Sequence, residues 1–464
     1  MRFINRDQVI RNGSNEVYKR LRRDALEILE VALISVDPEK AILNNLKRDG
    51  YLIKIDERFY DLKKYLRVLI IGGGKAGGRM AEAIEKVLGD SITAGFLNIP
   101  RSDNQYNLKH IKLNYCSHPI PDAKGVNGVE KMLTLVEGCS ERDLVICLIS
   151  GGGSALMPLP AEGLSLQDLQ NITSLLLKQG ATINDLNIVR KHLDRFKGGQ
   201  LARACGKADI LTLILSDVVG DPIDIIASGP TAPDPSTYND AVTIMKKNRV
   251  WDLAPKNIKN WLNKGIRGEI LETPKPNDPI FDRVQNVVIA NNMMALEAAE
   301  GEAKKRGYNT LVLSSLIEGE AKIVGEVYAA IAGEIILSGR PIQPPAAVIA
   351  GGETTVEVHG LGSGGRNQEL VLGAVKKITD LQCVVVSMGT DGVDGPTDST
   401  GGLVDGKTSY RSLKTGLNLE ESLRENNSNS YLNKLGDTLK TGPTGTNVND
   451  IHLILVSGDP NAKR

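Results

Sequence analysis

Lys75 stands in the glycine run Gly72-Gly73-Gly74-Lys75-Ala76-Gly77, directly after the apolar segment RVLIIG. On such a turn a lysine is either a compact point charge for an oxyanion or phosphoryl oxygen, or a solvated residue at a helix start. The run satisfies G-x-G-x-x-G, which also suits a dinucleotide. The acid expected about 20 residues on is missing, and the position after the next apolar segment is Arg101. A Walker A loop is excluded because Ala76 follows Lys75 where a Ser or Thr is required.

A second run, Ser150-Gly151-Gly152-Gly153-Ser154, offers small residues and hydroxyls as a cradle for an oxyanion or carboxylate. It does not satisfy G-x-S-x-G, so a serine hydrolase is disfavoured. Asp217 follows the apolar run LTLILS, where α/β enzymes often place a Mg²⁺ ligand; a turn or helix cap explains it equally well. Later, Glu353 sits on one glycine turn and Arg366 closes another, followed by Asn367 and Gln368. An arginine fork suits phosphate bidentately, and a helix N-terminus adds oriented N–H groups. Asp391, Asp394 and Asp398 on the loop from Gly389 to Gly402 read as metal or hydroxyl ligands, or as a solvated turn cluster. The five histidines are scattered and show no zinc spacing. None stands where a general base is expected, so an aspartate takes the proton or a loose transition state needs no base.

Nine short apolar runs position these loops: 66–71, 92–99, 144–149, 211–215, 287–290, 310–313, 346–350, 384–387 and 453–456. Most lack alternation, as expected of parallel strands covered on both faces. Helix-like segments between them imply βαβ units and a doubly wound sheet. Residues 1–55 read as helical, with an amphipathic helix from Val17 to Leu33 lying outside a domain. Pro274, Pro276 and Pro279 mark a linker, giving an N-terminal domain over 1–272 and a C-terminal domain over 281–464, with the final strand free to return to the first. The polar stretch before that strand reads as an excursion or flexible loop.

Among 464 residues, 56 Lys and Arg balance 56 Asp and Glu, and only 5 Phe, 2 Trp and 11 Tyr are available for base stacking, so nucleic acid is not an expected partner. Glycine numbers 48, above the usual ~7%. Nineteen of them fall in 72–78, 151–153, 351–352, 360–365 and 389–402, each next to a strand or helix end, which points to an anionic ligand. No segment suits a signal peptide or a membrane span, and five cysteines without a C-x-x-C pair suit reduced thiols, so a cytoplasmic setting is expected.

The two cations and several carboxylates on glycine loops suit phosphoryl transfer, with Lys75 from the first domain and Arg366 from the second. An NAD(P)H-dependent hydroxypyruvate reductase is the alternative that G-x-G-x-x-G suggests. The segments IGGGKAGGRMAEA, SHPIPDAKG, LISGGGSALMPLP, NIVRKHLDRFKGGQLA, LILSDVVGDPIDIIASGPTAPDP, IAGGETTVEVHGLGSGGRNQELVL, SMGTDGVDGPTDSTGG and PTGTNVND occur in that order, and with them the chain resembles the type II glycerate 2-kinases, the MOFRL family. The resemblance implies a Rossmann-like N-terminal domain and a smaller α/β MOFRL domain. It implies Mg²⁺-assisted (or other divalent-cation) transfer from ATP to the 2-hydroxyl of D-glycerate. Carried over, Lys75 and Arg366 are the catalytic pair. Gly74, Ser150, Gly151, Gly152, Gly153, Ser154, Glu353 and Asn447 bind substrate or nucleotide, and Asp217 and Asp391 are the metal candidates. A homodimer is compatible with all of this.

Overall fold

The computed structural model describes residues 2–101 and 105–458. It forms two units: Pro38–Ile289, and the residues up to Asp37 together with those from Ala290 onward.

In the first unit a small antiparallel sheet of β1 (Lys47–Asp49), β2 (Leu52–Ile55) and β3 (Arg58–Asp61) precedes the main one. The main sheet comprises β4 (Arg67–Gly73), β5 (Ala94–Pro100), β6 (Ile111–Cys116), β7 (Asp143–Ile149), β8 (Asp209–Leu215) and β9 (Val284–Ala290). Their spatial order is β6-β5-β4-β7-β8-β9, with parallel ladders from β6 to β8. Counted from β4, that is 3-2-1-4-5-6, the order of a Rossmann-like doubly wound sheet. Beyond the ion-paired Arg67 and Asp143 at their starts, β4 and β7 are apolar because helices cover both faces; of their side chains only Arg67 is not buried.

The second unit holds β10 (Asn309–Ile317), β11 (Ala346–Gly352), β12 (Cys383–Gly389), β13 (Gly401–Asp405), β14 (Thr438–Leu439) and β15 (Asp450–Val456). The order is β10-β11-β15-β12-β13-β14, and every ladder except β10–β11 is antiparallel. Here continuous apolar runs signal burial without parallel pairing. The final strand β15 lies between β11 and β12.

Four expectations meet a different structure. All nine predicted strands form, and so do β1 and β2, within the stretch 1–55 that reads as helical, the short β3 and β14, and β6 and β13. The sequences of the last two, IKLNYC and GGLVD, are too polar or too glycine-rich to stand out. The helix Glu16–Ser35 is not peripheral. Leu21, Leu26, Leu29 and Leu33 are fully buried in the second unit, and Arg22 forms ion pairs with Asp405 and Asp437, all three side chains wholly enclosed. That pairing ties the N-terminus to the C-terminal unit, so the units divide at 37/38 and 289/290 rather than at the prolines. The proline stretch itself is stitched into the first unit: Asp234 N–H donates to Pro274 O and Thr273 Oγ1 to Asp234. The polar stretch 424–447 before β15 holds the helix Ser428–Leu435 and the short strand β14 rather than a loop throughout.

Among the described residues no helix is long and apolar enough to cross a membrane. The five cysteines are unpaired, and four are buried.

Candidate active site

The strand order of the first unit reverses direction between β4 and β7, where open sheets bind ligands outside the carboxyl ends of their strands. Both glycine runs of this unit emerge there and touch. Lys75 N–H donates to Gly151 O at 2.8 Å, Ser150 N–H to Gly73 O at 3.2 Å, and Ala76 N–H to Ser150 Oγ at 3.0 Å. Gly74 N–H donates to Asn98 O and Gly77 N–H to Gly74 O. The amides of the first run are therefore consumed by the protein itself.

The second run keeps its amides available. Gly153 N–H returns to Ser150 O, but those of Gly151, Gly152 and Ser154 find no acceptor among the described residues. Gly152 has φ +79°, the left-handed conformation that turns successive N–H groups to one side and makes an anion nest. The exposed Lys75 stands over this turn. A Cβ placed on Gly152 would lie 3.4 Å from its Cγ and 2.9 Å from both Cδ2 and Nε2 of His118. The Lys75 ammonium makes no hydrogen bond with any described residue. Asp217 presses on the same loop: a Cβ at Gly151 would come within 2.0 Å of its Oδ2. Ser154 Oγ pairs with Ser228 Oγ at 2.8 Å, and Ser228 Oγ donates to Asn187 Oδ1 at 2.9 Å.

His118 corrects the expectation that no histidine approaches the site. Burial, reinforced by the Lys75 charge, holds its imidazole below the usual histidine range, so it is neutral at pH 7. Its signal in the sequence was the segment SHPIPDAKG, whose histidine lacks any ligand spacing and joins Lys75 only through the β4–β6 topology.

In the second unit Arg366 opens the helix Arg366–Ala374 and is held by Asp450: Nε to Oδ2 at 2.5 Å and Nη2 to Oδ1 at 3.0 Å. Nη1 reaches Glu353 Oε1 at 3.5 Å. Burial alone lowers the guanidinium and raises the Asp450 carboxyl; the bidentate contact outweighs it for Arg366, which stays charged. One edge of the Arg366 fork is thus occupied, leaving the Nη1 side toward half-exposed Glu353. Asp450 was missed because it closes PTGTNVND as the first residue of a strand, with nothing in its spacing to separate it from a turn residue.

The aspartate loop divides by role. Asp394 is buried and accepts from the backbone N–H groups of Asn367 and Gln368, capping the Arg366 helix. Asp398 pairs with Lys440 on the surface. Asp391 accepts from Val393 N–H and is half-buried; a Cβ on Gly389 would lie 3.5 Å from Oδ1 of both Asp391 and Asp450. Asn447 Oδ1 accepts from Asn449 N–H beside the start of β15.

Among the described residues no three His, Cys, Asp or Glu side chains gather as a metal cage. Mg²⁺ needs none: it commonly takes one or two carboxylates, waters and phosphate oxygens. Asp217, held against an anion nest, fits that donor pattern.

A family described as a domain of unknown function, DUF4147, matches residues 24–263, and the MOFRL family matches residues 346–450. The chain is 42% identical over 438 residues to the glycerate 2-kinase of Pyrococcus horikoshii, covering 94% of this chain and 98% of that one. It is 38% identical to the D-glycerate 2-kinase of Thermotoga maritima, again covering 94% and 98%. A solved glycerate kinase structure from T. maritima superposes with a TM-score of 0.84 at 37% identity, over 94% of this chain and all of that one. A relative from Agrobacterium vitis, 36% identical over 92% of this chain and 93% of its own, carries the provisional name hydroxypyruvate reductase.

Proposed function

The chain belongs to the glycerate kinase family built from DUF4147 and MOFRL regions, and from that premise we propose that it transfers the γ-phosphoryl of ATP to the 2-hydroxyl of D-glycerate. The products are ADP and 2-phosphoglycerate. The observation carrying this reading is the loop 151–154, whose three available amides lie on a turn beside the Lys75 side chain at the sheet's switch point. That arrangement suits phosphate oxygens, and phosphoryl transfer needs positioning and charge neutralisation above all.

The acceptor oxygen attacks the γ-phosphorus as the bond to the β-phosphate oxygen breaks. His118, neutral at working pH, is placed to receive the hydroxyl proton. Arg366, set by Asp450, supplies charge to the transferring group, with Glu353 and Asn447 binding substrate. Asp217 or Asp391 would hold a divalent cation, which supplies charge neutralisation on the phosphate oxygens when bound. The protein acts in the cytoplasm without nucleic-acid or membrane partners.

The relative's provisional name favours a reductase as second reading. Against it, the amides of 74–77 that a pyrophosphate would need are already bonded, and neither β5 nor Arg101 after it offers an acid for a ribose among the described residues. An ADP-release assay with D-glycerate, run beside NADH and NADPH oxidation with hydroxypyruvate, separates the two. Turnover in the second assay alone removes the kinase reading.

A further inference from the structure

A cavity of about 600 Å³ in the first unit still has no role; it lies beside the glycine loop, lined by Ser154 and by residues of the helices Leu166–Lys178 and Ile183–His192. Its size falls in the ~300–1,000 Å³ range of sites that enclose drug-sized molecules. Its walls are mainly apolar, from Ile120, Leu169, Ile172 and Leu177. Ile120 is 67% exposed and Leu177 58%, so the rim presents large hydrocarbon surfaces to water.

Three cations line the cavity: Lys178 is exposed, Lys197 donates to Met157 O and Asp194, and Arg190 stands apart from both. Arg190 is largely buried, yet its guanidinium makes no hydrogen bond with any described residue. Its polar neighbours on the same segment are all engaged. Asn187 accepts from Ser228, Lys191 reaches Asp224 and Asp234, and His192 reaches Glu272. Asp194, the nearest opposite charge, already accepts from Leu159 N–H, Phe196 N–H, Lys197 N–H and Lys197 Nζ. An enclosed guanidinium without a partner is unfavourable, and burial draws its pKa down to about 10. Five donors in a fixed fork beside an apolar chamber call for an anion carrying a large apolar body.

We propose that this cavity receives the adenosine part of the phosphoryl donor, with Arg190 meeting a phosphate oxygen as the chain of phosphates passes Ser154 onto the 151–154 loop. Of the two substrates in the proposed reaction, D-glycerate has no apolar face and far too little bulk; the nucleotide has both. The inference rests on ATP being the donor. Gln167 and Gln170 on the same wall donate through Nε2 to Asn171 Oδ1 and Pro121 O, which leaves their Oε1 atoms to accept from a base edge.

The test measures ADP binding by calorimetry and steady-state kinetics in the full chain for Arg190→Met, Arg190→Lys and Ile120→Asn/Leu177→Asn. The proposal expects Arg190→Met to weaken ADP at least tenfold and raise the KM for ATP equally, with Arg190→Lys recovering part of it. The KM for D-glycerate stays within twofold. The rim variant weakens ADP at least fivefold but leaves inorganic tripolyphosphate binding unchanged, whereas Arg190→Met weakens both. Unaltered ADP affinity in Arg190→Met and the rim variant overturns the proposal, as does a rise confined to the KM for D-glycerate. If the wild type binds ADP with these mutational effects yet does not phosphorylate D-glycerate, the reaction assignment fails and the nucleotide pocket stands.

Discussion

Asp450, enclosed at the head of β15, grips Arg366 through both carboxylate oxygens and so fixes the direction in which the guanidinium faces. The pair joins the start of a helix to the centre of a sheet, two elements 84 residues apart in sequence.

Asp450→Asn keeps the shape and removes the charge. Breaking a buried ion pair costs ~3–5 kcal/mol, and less here because the Arg366 side chain is 34% exposed. A lower melting temperature and at least a tenfold loss of kcat are expected, checked by calorimetry and steady-state kinetics. Unchanged kcat would mean that the orientation of Arg366 is irrelevant to turnover.

Lys75→Ala separates catalysis from folding. The side chain is exposed and makes no hydrogen bond with a described residue, so stability should move by less than about 0.5 kcal/mol. A charge serving the transition state is worth roughly 10²–10³ in kcat. Circular dichroism with kinetics checks both halves, and near wild-type turnover removes Lys75 from the mechanism.

Gly151→Ala drives a methyl group toward Asp217 Oδ2, 2.0 Å from the ideal Cβ position. The carboxylate or the loop must move. The expected result is a loss of activity larger than any change in melting temperature, and a raised requirement for the divalent cation. A variant with ordinary activity and cation dependence contradicts the placing of Asp217 at the reaction.

The legible parts of this molecule share one property, a signal local in sequence. Strands such as β4 and β7 are continuous apolar runs, and Lys75, Ser154 and Arg366 stand on glycine turns next to them. What escaped was relational. His118 reaches Lys75 across three strands, Asp450 reaches Arg366 across the second sheet, and Arg22 binds Asp405 and Asp437 from the far end of the chain. Strand direction was equally hidden: β12 and β15 are as apolar as β7 but run antiparallel, because burial sets composition and connectivity sets direction.

Stability should fall with acid in two stages. Burial holds His452 neutral to about pH 3, whereas the unfolded chain protonates it below ~6.5. This depressed folded value stabilises above pH 6.5, and the contribution is lost as pH drops from there toward 3. Asp143, bonded to Arg67, is lowered to about 2; Glu272 reaches about 2 because its bonds to His192 and two backbone amides outweigh burial. Both stabilise above ~4.5 and lose that contribution as pH falls toward 2. Denaturant titrations from pH 7.5 to 4 check this, with a shallow decline below 6.5 that steepens below 4.5. In His452→Gln the first stage should shrink, leaving the part that comes from His118, whose imidazole burial also holds below the usual range.

The most direct measurement is ³¹P NMR of the purified chain incubated with ATP, Mg²⁺ and D-glycerate. The account predicts ADP and 2-phosphoglycerate in equal amounts, both formed on the order of 10²–10³ times more slowly by Lys75→Ala. A product phosphorylated at the 3-hydroxyl, or hydroxypyruvate reduction with ATP untouched, would contradict it.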